Sequence, residues 1–318
     1  MKKINNKEIV SGNSIVIILF SIITLLLVSC GGKGNKQVQD DKYPALNSGT
    51  ISVCCDEAIY DLLDRPFKMY DSVYTDVKLT VVKTTARQAM ANLLAGITPV
   101  IFLSRDYLKD EDSLMKQYKI TPYQRMLFAE DALVFYTKND FPLDTITDAQ
   151  LKEVFLDKNL LKKIYPKLQK EPEFVINNQV SSEYANLKSL VLKNNVPKRK
   201  LLMFAGYDSV KKFVLQTNYA IGIGYLSQVI KDTNLKCLKI AFNDSTGKRV
   251  FPHLAHQANI VRRFYPYIVS HYVYFLEDRR NLPWWLGTFI AKEAIVQRYY
   301  KDAGIVPGYA VINLIEEE

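Results

Sequence analysis

Three short apolar runs, each followed by a helical period, constrain the first third of this chain more than any other feature. Ile51-Ser52-Val53-Cys54-Cys55 is apolar or small throughout, and Ile59, Leu62, Leu63 and Phe67 follow it at helical spacing. Residues 78–83 form a second strand-like run, after which Thr84-Thr85 introduce an apolar helical period over 86–95 that Gly96 stops. Residues 99–104 are a third run, followed by a short helical stretch over 110–118. Strand and helix alternating in this way give a parallel sheet with helices packed on it. A strand running into a helix leaves free backbone N–H groups at the carboxyl edge of the sheet, where open α/β sheets hold ligands. Asp56 stands at the first such corner, as N-cap of a helix expected over 57–70, and Pro66 inside that helix predicts a kink or break.

The remainder continues in the same class. Residues 125–138 are a long apolar run able to cross from one lobe to another. Thr147-Asp148-Ala149-Gln150 has capping-box spacing ahead of Leu151, Val154 and Phe155. Strands are expected over 173–177, 219–225, 235–242 and 265–276, and helices over 181–192, 207–217 and 284–300. Gly222 and Gly224 in the 219–225 strand predict a close approach to the backbone. Residues 243–264, with turn residues and little period, read as loop.

Charge and cysteines narrow the partners. The 318 residues carry a net charge of +9, but the excess is scattered, and no basic stripe interleaved with aromatics points to nucleic acid. Residues 1–30 read as an export signal. Lys2, Lys3 and Lys7 precede an apolar run over 14–28 that ends in Leu27-Val28-Ser29-Cys30, the lipobox pattern of a bacterial lipoprotein. The apolar run is shorter than the roughly 20 residues a spanning helix prefers. The expectation is a signal over 1–29, lipid on Cys30 and a flexible tether over 30–42. Cys54 and Cys55, neighbours on a strand, point to opposite faces; either pairs with Cys237, or all three are free thiols.

Six phrases, in order from residue 51 to residue 307, resemble one family, the phosphate-binding proteins of bacterial phosphate ABC transporters. They are the first strand and helix start (51–63), Ile101-Phe102-Leu103-Ser104-Arg105, Asp131-Ala132-Leu133-Val134-Phe135-Tyr136 with residues 146–155 after it, Ala220-Ile221-Gly222-Ile223-Gly224-Tyr225, Tyr265-Pro266-Tyr267, and Ala303-Gly304-Ile305-Val306-Pro307. The resemblance implies an α/β, two-lobed fold like the type II periplasmic binding proteins, with a ligand cleft between lobes. Lobe 1 would comprise 43–129 and 265–318, and lobe 2 would comprise 130–264. It implies inorganic phosphate or a similar small anion as ligand, the membrane permease of an ABC transporter as partner, a bilayer attachment through Cys30, no cofactor, no metal and no catalysis.

The family holds its oxyanion with hydroxyls and backbone N–H groups at helix starts, an arginine, and an aspartate that accepts a hydrogen bond from a protonated phosphate. By position the ligand-binding candidates are Asp56, Glu57, Thr84, Thr85, Ser104, Arg105, Ser181 and Ser182. Some have a second reading: Asp56 as a helix cap, Glu57 as a first-turn acid, Thr84-Thr85 as an N-cap alone, and Arg105 as a surface or lobe-bridging ion pair. The family's Ser-Gly-Ser-Gly-Thr phrase is replaced by Gln179-Val180-Ser181-Ser182-Glu183, and the arginine before it by Asn177 or Asn178. Losing that arginine and gaining Glu183 weakens a divalent anion's hold.

Enzyme chemistry has little to stand on. His253-x-x-His256 has metal-ligand spacing but lies in a loop-like stretch, and His271 lies on an apolar strand. No Gly-x-Ser-x-Gly elbow or phosphate-cradling Gly-Lys loop appears. Trp284-Trp285 suit lobe packing better than a sugar platform. The alternative to transport is a surface lipoprotein of the same fold that binds another polar solute or a protein.

Overall fold

A computed structural model describes residues 48–121, 123–156 and 161–309. The expected signal, Cys30 and the tether lie outside the described residues. Among the described residues, no helix is long and apolar enough to cross a membrane.

The strands are β1 (Gly49–Asp56), β2 (Val77–Thr84), β3 (Val100–Leu103), β4 (Arg125–Lys138), β5 (Thr145–Thr147), β6 (Glu173–Asn177), β7 (Leu202–Phe204), β8 (Ala220–Tyr225), β9 (Leu235–Cys237), β10 (Lys239–Asn243), β11 (Arg249–His253), β12 (Ile268–Phe275) and β13 (Val306–Pro307). The main sheet runs β2-β1-β3-β12-β4-β8-β6-β7, with β9 and β13 also on β4, and β11-β10-β5 form a small second sheet. β1 is parallel to β2 and β3, as the alternating pattern demands. β4 is the seam. Its first part, from Arg125 to Ala132, pairs antiparallel with β12; from Leu133 on it pairs with β8 and β9. β6 lies parallel to both β7 and β8. The parallel groups β2-β1-β3 and β8-β6-β7 therefore lie in one sheet, joined through β12 and β4, which pair antiparallel with each other and with the groups on either side.

Several elements depart from the sequence pattern for identifiable reasons. The first helix is Tyr60–Val73, three residues later than expected, and it runs through Pro66 without a break. Pro66 sits on the buried stripe with Leu62, Leu63, Phe67 and Tyr70, and this packing offsets the ~3 kcal/mol that an interior proline costs. The expected helix over 284–300 is two helices, Leu282–Lys292 and Ala294–Asp302, divided at Glu293, whose ψ of 132° is extended. The Gln297 amide covers the break by donating to the carbonyl of Ala291 at 2.8 Å. The strand expected over 235–242 changes sheets at buried Leu238: β9 pairs with β4, and β10 with β5. The stretch 243–264 is not loop. Asp244 Oδ1 accepts N–H bonds from Thr246 and Lys248 at 2.9 and 3.0 Å, closing a hairpin between β10 and β11, and a short helix, Gln257–Val261, follows.

The capping box before the helix Asp148–Leu156 forms as read: the Thr147 N–H donates to Gln150 Oε1 (2.9 Å) and the Gln150 N–H to Thr147 Oγ1 (3.1 Å). The paired glycines meet Tyr136. Gly222 lies opposite Tyr136 in the β4–β8 register, and a Cβ on Gly222 would fall 2.3 Å from the Tyr136 ring. Cys54, Cys55 and Cys237 are all free thiols.

Candidate functional site

The carboxyl ends of β1 and β3 reach one edge of the sheet, and from the other side of β4 the ends of β6 and β8 reach the same place. Asp56, the last residue of β1, is fully buried at that meeting point. Its Oδ1 accepts the Ala58 N–H at 3.1 Å, so the carboxylate caps the tight turn over 57–59 rather than the helix itself. Its Oδ2 accepts the Ser104 N–H (3.3 Å), the Ser104 hydroxyl (2.8 Å) and the Ser182 hydroxyl. Ser104 follows β3 and Ser182 opens the helix Ser182–Asn186, so one carboxylate oxygen gathers donors from both sides of the cleft.

Around this point the walls bond directly to each other. Asn186 Nδ2 donates to the Ser104 carbonyl (2.7 Å) and to the Tyr225 hydroxyl (2.8 Å). Glu57 Oε1 accepts the side-chain amides of Asn177 and Asn178 at 3.0 and 3.2 Å. Gln228 Nε2 donates to the Ala58 carbonyl and to Glu183 Oε1, both at 3.0 Å. Tyr207 donates its hydroxyl to Asp61. The two asparagines that replace the expected arginine thus serve as amide donors to Glu57.

Of the eight candidates, Asp56, Glu57, Ser104 and Ser182 come together here. Ser181 is the N-cap of the helix Ser182–Asn186, its Oγ accepting the Tyr184 N–H at 3.2 Å. Thr85 is the N-cap of the helix Ala86–Leu94, its Oγ1 accepting the Gln88 N–H at 3.3 Å. Thr84 ends β2 opposite Asp56 and gives its carbonyl to the Glu57 N–H at 2.8 Å. Arg105 is buried and holds a bidentate pair with Glu111, at 2.8 and 2.7 Å, while its guanidinium also reaches the carbonyls of Asp106 and Ala86. Its fork is engaged by Glu111, not by the groups around Asp56. Among the described residues, no ion pair joins a lysine or arginine to Asp56, Glu57 or Glu183.

Asn186, Tyr225 and Gln228 are site residues that the sequence reading does not single out. Asn186 lies four residues after Ser182, hence on the same helix face, and Tyr225 and Gln228 have capping-box spacing at the end of β8; those were the available signals. Tyr136 and Tyr225 are held well above the ordinary phenol range, first by burial and next by the charge of Glu183. Glu183 itself is fully buried, and burial, then Asp56, push its carboxyl up to about 7.

The remaining motifs dissolve. His253 stacks on Phe264, and His256 accepts the Ala258 N–H through Nδ1 as a helix cap, so the two do not converge. His271 is buried, with Nε2 3.4 Å from Asp131 Oδ2. No group of three metal-ligating side chains is present among the described residues. Trp284 packs half-buried against the core, edge to face with Trp285.

The PBP superfamily domain matches residues 43–291. The chain belongs to the PBP superfamily. This PBP-superfamily chain is 22% identical over 178 residues to the phosphate-binding protein PstS of Borreliella burgdorferi, an alignment that spans 56% of this chain and 57% of that protein. Its fold is similar to a structure from Clostridium perfringens, described as a phosphate ABC transporter substrate-binding protein with bound phosphate. The TM-score is 0.67 with 16% identity, covering 81% of this chain and 99% of that one. It is also similar to an ABC-type phosphate transport receptor from Vibrio cholerae, with TM-score 0.61 and 13% identity over 81% of this chain and 100% of the other. At these identities the likeness fixes the two-lobed fold, and the ligand must be argued from the side chains.

Proposed function

We propose that this chain is the solute-binding component of an ABC-type uptake system. It closes over phosphate or a related small oxyanion and delivers it to a membrane permease, without turnover. We assign 43–129 with 265–318 to one lobe and 130–264 to the other. The protein sits on the outer side of a membrane, held by lipid on Cys30. The observation that carries the reading is the convergence on Asp56. The Ser104 N–H, the Ser104 hydroxyl and the Ser182 hydroxyl are donors of the kind an oxyanion takes, and they arrive from both cleft walls. Asp56 is then the acceptor for a proton carried by the ligand, which turns away oxyanions that have none. The names of the relatives above support the same reading.

The test is calorimetric titration of the detergent-solubilised full chain with inorganic phosphate. Saturable heat and a rise in melting temperature are expected, since ligand at a hundred times its Kd stabilises by about 2.7 kcal/mol. No heat and no thermal shift at millimolar phosphate would remove the proposal. Asp56→Asn keeps the shape but accepts a proton poorly, and it should cost about 1.5–3 kcal/mol of binding, roughly ten- to a hundredfold in Kd. For the anchor, Cys30→Ser should move the protein from the membrane fraction to the soluble one, and a variant that stays membrane-bound would point to an uncleaved anchor.

A further inference from the structure

Glu183 is the buried group that the binding scheme above leaves without a task. Its Oε1 accepts from Gln228 Nε2, but Oε2 is buried with no hydrogen-bond partner, a costly condition for a carboxylate oxygen. The titratable groups facing it are Asp56 and Glu57 at the corner after β1, Tyr136 on β4, Tyr225 at the end of β8, and Tyr207 at the start of the helix Tyr207–Gln216. Gln228, from the helix Leu226–Val229, is neutral. None of these is a cation. Ionised, Glu183 would add a third negative charge to a wall meant to meet an anion. Neutral, it has one O–H to give, and no protein acceptor takes it.

We propose that Glu183 is a specificity-determining residue that works as a neutral acid, its Oε2–H donating to an oxygen of the bound oxyanion, so that ligand enters the cleft together with a proton. This rests on the oxyanion reading and sharpens it. Asp56 and Glu183 then divide the work: the first accepts the ligand's proton, the second supplies one to a bare ligand oxygen. The ligand class that satisfies both is a partly protonated, phosphate-like oxyanion. A fully deprotonated one fails at Asp56. The carboxyl's position near 7 makes the device responsive to pH: binding strengthens as pH falls through that value.

Inorganic phosphate gains a proton over the same range, so proton bookkeeping decides the matter. Phosphate is titrated calorimetrically into the full chain and into Glu183→Gln at pH 8, in two buffers of different ionisation enthalpy. The wild type should take up about one proton more per phosphate than E183Q, and E183Q, which needs no proton there, should bind about tenfold tighter. A second measurement needs no variant: the ¹³C titration midpoint of the Glu183 carboxyl should move up when phosphate saturates the wild type. Equal proton uptake by the two proteins, or an unmoved midpoint with phosphate bound, overturns the role of Glu183 and leaves the oxyanion reading standing. Absence of phosphate binding by the wild type at both pH 5.5 and pH 8 overturns both.

Discussion

Arg105 shows how a residue's type can be read while its task is not. A buried guanidinium beside a strand end suits an anion, yet its two N–H pairs go to Glu111, which itself accepts the Leu108 N–H at 2.9 Å. Without Arg105, Glu111 keeps only the Arg87 guanidinium at 3.6 Å and the Leu108 N–H, so Arg105→Ala should cost about 3 kcal/mol in denaturant unfolding, the low end for a broken buried pair, while Arg105→Met with Glu111→Met should recover most of it. Lost phosphate binding at unchanged stability would instead place Arg105 at the ligand. Glu183 makes the opposite contribution. Its folded-state pKa is raised, so the penalty is absent below the unfolded value near 4.5 and grows until pH passes about 7. Glu183→Gln should therefore raise the melting temperature at pH 8 and leave it close to wild type at pH 4.5. A gain of the same size at both values would mean that packing, not charge, is responsible.

At the scale of elements, β8 is the most exacting. A Cβ on Gly222 would strike the Tyr136 ring of β4, which is 1% exposed, and a Cβ on Gly224 would fall 2.6 Å from Gln228 Oε1. Gly222→Ala should destabilise by about 1–3 kcal/mol through overpacking. Tyr136→Leu in the same chain should return part of it, and no recovery would mean that the strand backbone, not the ring, limits the site. The spacing of two glycines in an apolar strand announced a close approach; only the β4–β8 register named the partner. The same division applies elsewhere. β1 and β6 were legible because their apolar runs are uninterrupted, and β4 because long apolar stretches flank Glu130-Asp131 on both sides. β11 was not, because it is half exposed and takes its meaning from β10 beside it.

For the whole molecule, the proposed binding role makes closure the motion to test. The cross-cleft bonds of Asp56 with Ser182, Glu57 with Asn177 and Asn178, and Asn186 with the Ser104 carbonyl all link groups on opposite sides of β4, whose two halves serve different parts of the sheet. Asn186 gives no bond to the oxyanion in the proposed scheme but holds Ser104 across the cleft, so Asn186→Ala tests closure. It should leave the Ser104 carbonyl with only the Tyr225 hydroxyl at 3.4 Å, at about 1–2 kcal/mol, and speed hydrogen exchange at the ends of β3 and β8 more than in β2. Uniform acceleration throughout would indicate global destabilisation instead.

The sequence by itself determined the α/β class, the alternation of strands and helices that begins at the corner of Asp56, and four of the residues that meet there. Those follow from local periodicity and from residues that carry their chemistry with them. Tertiary structure decided which donors Asp56 receives, that Glu111 takes the Arg105 fork, that Asn186 and Gln228 join the site, and that Glu183 has one oxygen satisfied and one bare. The reason is physical. A carboxyl's hydrogen bonds and its charge state depend on burial and on neighbours more than a hundred residues away, which no local pattern encodes.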